Sequence, residues 1–255
     1  MLYTNQTGKP TKGSVILVHG LGEHSGRYEK LSQMLNQKGY KVHIFDWPGH
    51  GKSPGKKGHT TIEKGIEIID TIVDDIKTKP YLFGHSMGGL TAIRYAETFP
   101  EKIKSIIVSA PELAYDNRIS PFLIKASKFL SFIIPGITTN NRINPKELSR
   151  NENAVKKYVN DPLIHDRITL SLNRSITNNM KKAYQETDKI TCPILILAGT
   201  QDKIVPIKRT KDFFKKLKTK EKNLIEFKGG FHEVFEDPTW GTSFHNSILN
   251  WIDTH

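Results

Sequence analysis

Gly84-His85-Ser86-Met87-Gly88 sets a serine between glycines two positions to either side, with Gly89 following. Such a serine can attack an acyl carbonyl, but its hydroxyl is a poor nucleophile until a base removes the proton. The base is expected to be a histidine oriented by a carboxylate. For a serine on a sharp strand-to-helix turn, the three arrive in the order Ser, Asp, His. Asp202, in Gly199-Thr200-Gln201-Asp202-Lys203, and His232, in Gly229-Gly230-Phe231-His232-Glu233, fit that order. The tetrahedral oxyanion of acyl transfer needs two preorganised donors. The backbone N–H of Met87, next after the serine, is one candidate. The N–H of Leu21, in His19-Gly20-Leu21-Gly22, is the other.

These residues must be brought to one place by a scaffold. Short apolar, β-branched runs alternate with helix-like stretches, a pattern that predicts a mostly parallel sheet flanked by helices. Expected strands are 14–20, 40–46, 81–85, 103–109, 194–198 and 223–227, with a helix around Tyr28, Leu31, Met34 and Leu35 and a closing helix from Trp240 to Trp251. Ser86, Asp202 and His232 each fall just past a strand, at the C-terminal edge where such sheets collect their chemistry. Rival residues are less well placed. Asp188 precedes its strand, and Glu233 and Asp237 crowd His232 in sequence. His245 is expected on the surface of the closing helix, and His19 is expected to serve the backbone of its loop. Between 111 and 189 the rhythm breaks: prolines recur at 121, 135, 145 and 162, and the apolar but lysine-bearing run 122–134 reads as amphipathic helix. We therefore expect a core of 1–110 and 190–255 with a helical cap, 111–189, inserted between strands.

Composition narrows the class further. No apolar run nears the roughly 20 residues of a spanning helix, and the first residues lack the basic and apolar regions of a secretory signal. A single cysteine, Cys192, excludes an internal disulfide and fits a reducing compartment, so a cytoplasmic protein is expected. The formal net charge is +12, with lysines scattered along the chain and densest from Lys208 to Lys222. The main reading of that charge is a solvated surface, and attraction to anionic membrane headgroups is the functional alternative. No zinc-finger or RNA-binding pattern points to nucleic acid, no metal-ligand cluster is visible, and this chemistry needs no cofactor.

The loop His19-Gly20-Leu21-Gly22-Glu23-His24-Ser25-Gly26-Arg27-Tyr28 resembles the signature of monoacylglycerol lipases and related lysophospholipase-like hydrolases. Asp46-Trp47-Pro48-Gly49-His50-Gly51-Lys52-Ser53, the Ser86 turn, Ser149-Arg150-Asn151 and Tyr158 before Asp161-Pro162-Leu163 are similar to further stretches of that family. The resemblance implies an α/β-hydrolase fold with a helical cap and hydrolysis of fatty-acid monoesters of glycerol through an acyl-enzyme. It also implies that Glu23, Arg27 and Tyr158 form the polar end that receives glycerol. Two departures stand out. Only about a dozen residues precede the first expected strand, shortening the leading hairpin. Phe235 stands where the mammalian enzyme has a second histidine, which leaves the head group open. Lysophospholipase, broad carboxylesterase, peptidase and acyltransferase activities share the same machinery, and a non-catalytic lipid-binding protein is the alternative from another class.

Overall fold

The computed structural model describes residues 1–114 and 130–255. Along the chain run β1 (Thr4–Thr7), β2 (Gly13–Val18), α1 (Glu29–Gln37), β3 (Tyr40–Phe45), α2 (Ile62–Asp74), β4 (Tyr81–His85), α3 (Met87–Thr98) and β5 (Ser105–Ser109). Beyond residue 129 come β6 (Thr138–Asn140), α4 (Glu152–Asn160), β7 (Arg167–Thr169), α5 (Leu170–Gln185), β8 (Ile194–Gly199), α6 (Ile207–Lys216), β9 (Lys222–Phe227) and α7 (Gly241–Thr254). Seven strands form one sheet in the order β1-β3-β2-β4-β5-β8-β9, parallel except for β1. This is the expected α/β-hydrolase architecture.

The central strands carry buried apolar runs because helices cover both faces of the sheet. Side chains alternate along each strand. Val15 and Leu17 of β2 accordingly join one layer with Leu31 and Leu35 of α1 and Phe244 and Ile248 of α7. Ile16 and Val18 point the other way, into a layer with Ile69 of α2, Leu90 and Ile93 of α3, and Leu172 and Ile176 of α5. Buried polar atoms fasten α7 to the sheet: Trp251 Nε1 donates to Ser105 Oγ at 2.8 Å and Tyr81 OH donates to the Ile252 carbonyl at 2.9 Å.

The six expected strands appear in this sheet. β1 was not anticipated: its Thr-Asn-Gln-Thr sequence is polar and exposed, and β3 fixes it by antiparallel pairing. The short antiparallel pair β6–β7 lies within 111–189, mostly exposed and without an apolar pattern to announce it. In the same span α5 packs through Leu172, Ile176 and Met180 into the core layer of α2 and α3. Most of the expected helix at 122–134 lies outside the described residues. His245 corrects an expectation. It is buried, and its ring N–H donates to the Gly241 carbonyl within α7. The helix turns that position, beside Phe244, toward the core. No helix among the described residues is long and apolar enough to cross a membrane.

Leu82 on β4 is fully enclosed, whereas Val159 on α4 is 62% exposed. Leu82→Ala is expected to lower unfolding stability in chemical denaturation by about 2–5 kcal/mol. Val159→Ala should stay within about 0.5 kcal/mol of the parent.

Candidate active site

β4 ends at His85 and α3 begins at Met87, so Ser86 alone carries the chain from strand to helix. Its φ of 52° and ψ of −115° lie in a region that a residue with a Cβ enters only under strain. Backbone bonds enforce the turn. Ser86 N–H donates to the Ser109 carbonyl at 2.9 Å, and the Ser86 carbonyl accepts from Leu90 N–H and Glu112 N–H, both at 3.0 Å. Packing permits only glycine around it. A Cβ at Gly84 would strike the Gly88 carbonyl, and one at Gly88 would strike the carbonyls of Val18 and His19. A Cβ at Gly20 would stand 3.2 Å from that of Ser86, so the loop after β2 lies directly against the serine.

That loop is pinned from both sides of Gly20. Glu23 accepts from the Gly20 N–H at 2.6 Å, and the His19 ring donates through Nδ1 to the Gly20 carbonyl at 2.9 Å. The donor assignment follows from the other ring nitrogen, which accepts from Trp47 N–H at 3.2 Å. Burial keeps the His19 ring below its ordinary pKa and therefore neutral. Because the peptide plane is trans, a Gly20 carbonyl turned to His19 aims the Leu21 N–H the opposite way. Met87 opens α3, where N–H groups lack intrahelical acceptors.

Asp202 follows β8 and is held by N–H groups of Ile204 at 2.8 Å and Val205 at 2.9 Å on its Oδ1. Its Oδ2 lies 2.7 Å from His232 Nδ1. Nδ1 therefore carries the donated proton and Nε2 is left as the basic nitrogen of the neutral ring. Burial alone would lower His232, but the Asp202 charge and hydrogen bond outweigh it and raise the imidazole above its ordinary value. The His85 ring, on the residue before Ser86, has its centroid 4.8 Å from that of His232, which sets the β4 and β9 loops side by side. Burial, aided by the nearby His232 charge, depresses His85 to about 3.

Glu23 and Arg27 meet in a buried ion cluster. The Arg27 guanidinium donates to Glu23 at 2.6 Å and, through two nitrogens, to both carboxylate oxygens of Glu233 at 2.6 and 2.7 Å. Tyr28 OH donates to Glu23 at 2.8 Å, and the Tyr158 ring lies 4.9 Å beneath the guanidinium. Burial would push the Glu23 carboxyl up, but Arg27, with the Gly20 N–H, overrides it and holds Glu23 at about 2. The cluster also reaches the 111–189 span, because Glu233 N–H donates to the Leu148 carbonyl at 2.7 Å. Nearby, His24 bridges to Asp161 at 2.9 Å. Asp46 accepts from Ser25 N–H and Lys52 N–H, both at 2.8 Å, so that the two signature loops share one carboxylate. Phe235 is buried among the rings of Tyr28, His85 and Phe244.

Sequence order passed over two carboxylates in this region. Glu233 was set aside as too close to His232; its side chain turns away from the imidazole to Arg27. Glu112 was not considered, although it follows a strand end just as Asp202 does. Its Oε2 is buried without a hydrogen-bond partner among the described residues, and burial raises the carboxyl to about 7 against the opposing pull of His232. Among the described residues no group of three or more His, Cys, Asp or Glu side chains could hold a metal ion.

The ion cluster has a measurable signature. Arg27→Ala strands two buried carboxylates and should cost about 3–5 kcal/mol in denaturant unfolding. Glu23, depressed in the folded state from about 4.3 in an unfolded chain, contributes stability that is complete above about pH 5 and disappears as pH falls toward 2. Glu23→Gln should flatten the loss of stability across that window.

Comparison with known proteins agrees with this architecture. The family model described as serine aminopeptidase, S33, matches residues 9–239. A monoglyceride lipase of Rattus norvegicus is 30% identical over 260 residues, covering 99% of this chain and 84% of the relative. A monoacylglycerol lipase of Mycolicibacterium smegmatis is 28% identical over 96% of this chain and 89% of its own. The crystal structure of a monoacylglycerol lipase from Paleococcus ferrophilus superposes with a TM-score of 0.98 at 50% identity, covering 100% of this chain and 99% of the other. The chain belongs to the α/β-hydrolase family whose model is described as serine aminopeptidase, S33, and within it to the monoacylglycerol lipase-like proteins that its signature loop resembles.

Proposed function

We propose that the chain is a serine esterase that hydrolyses monoacylglycerols to fatty acid and glycerol. The observation that carries this reading is the 2.7 Å bond from His232 to Asp202 at the sheet edge that also bears the strained Ser86 turn. In this reading His232 Nε2 removes the Ser86 proton as the hydroxyl attacks the ester carbonyl. Asp202 keeps the ring in the tautomer required and stabilises the imidazolium that forms. The N–H groups of Leu21 and Met87 hold the oxyanion; Gly20, pinned at its N–H and at its carbonyl, supports the first and the α3 N-terminus the second. The imidazolium then protonates the departing alcohol, and a water activated by the same nitrogen releases the fatty acid.

For Glu23 and Arg27 the geometry supports a holding function, since their polar atoms are engaged by protein partners. Tyr158, Arg27, His24, Lys157, Asp161 and Glu236 border a cavity of about 230 Å³. Its polar rim suits a polyol, and we place the glycerol end there. Phe235 offers no hydrogen bond to that end, so selectivity must rest on the remaining polar groups. Peripheral contact with a lipid surface fits the exposed Phe132, Ile133 and Ile137, and a charge contribution would show as tighter binding to anionic vesicles.

Ser86→Ala should reduce ester turnover by about 10⁴-fold or more and abolish covalent labelling by a fluorophosphonate. Turnover close to the parent's would overturn the assignment. Rates on monoacylglycerols are expected to exceed those on lysophospholipids, p-nitrophenyl esters and prolyl peptides of matched concentration; a reversed order would replace the substrate while keeping the nucleophile.

A further inference from the structure

The loop after β2 is held from the 111–189 span as well as from the sheet. Residues 161–167, between α4 and the start of β7, lie directly against it. His165 N–H donates to the Gly22 carbonyl at 2.9 Å. Gly22 has a φ of 76°, in the left-handed region, and a Cβ there would stand 2.4 Å from the His165 carbonyl. The two backbones therefore meet with no side chain between them. A second contact follows two residues along the loop. The His24 ring accepts from Gly26 N–H through Nδ1 at 3.2 Å, so its Nε2 carries the proton donated to Asp161 at 2.9 Å. The other oxygen of Asp161 accepts from Leu163 N–H at 2.8 Å, and its carbonyl accepts from Ile164 N–H at 3.2 Å. Asp161 thus shapes the turn that leads to His165 and ties that turn to the loop.

The side chain of His165 secures its own backbone. Its Nδ1 accepts from Arg167 N–H at 3.1 Å, closing a turn of the kind that asparagine side chains also close. Its ring centroid lies 4.4 Å from that of His50, and His50 is 5.8 Å from His19, the ring that holds the Gly20 carbonyl. Leu21 is therefore set between two fixed neighbours. Gly20 is held by Glu23 and His19, and Gly22 is held by His165. We propose that His165 is a positioning residue for oxyanion stabilisation: together with Asp161 it fixes the loop that presents the Leu21 N–H to the developing charge. The inference rests on the hydrolase reading, because it concerns the donor which that reading assigns to Leu21. A donor stabilises an oxyanion best when it is already aimed; one left free to turn must be ordered as the charge forms. A change at His165 therefore raises the barrier and leaves substrate affinity in place, although it acts through Gly22.

The test compares His165→Ala and His165→Asn on a short-chain ester, with melting temperature measured for each. It adds the affinity for a trifluoromethyl ketone, whose tetrahedral adduct with Ser86 carries an oxyanion. Alanine leaves Arg167 N–H without its acceptor. Its kcat is expected to fall at least about tenfold, short of the roughly 10²–10³-fold that a whole oxyanion donor is worth. Affinity for the ketone should fall by the same factor, while KM stays within about twofold, as for an interaction made only in the transition state. Asparagine can accept from the same N–H and should recover most of both losses. Gly22→Ala, which drives a Cβ into the His165 carbonyl, should reproduce the alanine result from the other side of the contact. If that variant fails to fold, the two His165 variants still decide. A lowered melting temperature with kcat and ketone affinity intact would mark a structural role and overturn the proposal. A loss carried by KM, or an asparagine variant no better than alanine, would overturn it as well. Fluorophosphonate labelling of the parent at Ser86 separates the two levels. Its absence removes the hydrolase reading, whereas labelling with an unchanged kcat in His165→Ala removes the positioning role alone.

Discussion

The backbone at Ser86 is the constraint around which the rest of this edge is arranged. A non-glycine residue held at φ 52° costs of order 1–3 kcal/mol, and the conformation persists because its surroundings leave no alternative. β4 is paired on both sides, with β2 and β5, so it cannot shift to relieve the turn. Ser109 fixes the Ser86 N–H, while Leu90 and Glu112 fix its carbonyl. The glycines at 20, 84 and 88 are consequences of the same constraint: the turn needs backbone from three segments to pass within contact distance of one another. The strain is borne at the centre of the sheet, where packing is densest and most able to carry it.

A second layer of constraint is electrostatic. Arg27 joins the loop after β2 to the loop after β9, and the Leu148 carbonyl ties that junction to the span between β5 and β8. Taking one guanidinium and two carboxylates out of water is expensive, and the attraction between them repays that only when the geometry is satisfied throughout. Such a cluster contributes more to a unique arrangement of the three segments than to net stability. In this chain the arrangement matters because Glu23 is also the acceptor for the Gly20 N–H. An alternative placement of Arg27 would free Glu23 from the Gly20 N–H and loosen the residue before Leu21. The signature loop is thus legible as chemistry one step removed from the substrate.

The sequence disclosed the parts of the molecule whose physics is local. β2, β4, β5 and β8 each carry an apolar run that is buried, because both faces of the sheet are covered, and the strand-turn-helix context of Ser86 is written in three consecutive elements. Asp202 and His232 could be named because each follows a strand. What stayed hidden depends on pairing at a distance. β1, β6 and β7 are polar, short or exposed, and their partners define them. Glu233 looked redundant beside His232, since sequence proximity does not tell which way a side chain turns. The burial of His245 likewise depends on how α7 seats on the sheet, which the residue type does not reveal.

Environment, more than residue type, decides which of the clustered imidazoles can act as a base. His85 and His232 have ring centroids 4.8 Å apart, and both are buried. Burial acts on both rings in the same direction, toward the neutral form. Only His232 has a carboxylate on its Nδ1, and that bond reverses the sign of its shift. His85 has the Ser109 hydroxyl at 3.2 Å instead, which carries no compensating charge. The apolar wall of Tyr28, Phe235 and Phe244 contributes to this division. It keeps His85 dry and neutral, so that in the proposed mechanism a proton from Ser86 has one place to go. A hydrophilic residue at 235 would wet that wall and narrow the difference between the two rings. Phe235, which in the proposed reading offers the head group no polar contact, would thereby separate the two rings as candidate bases.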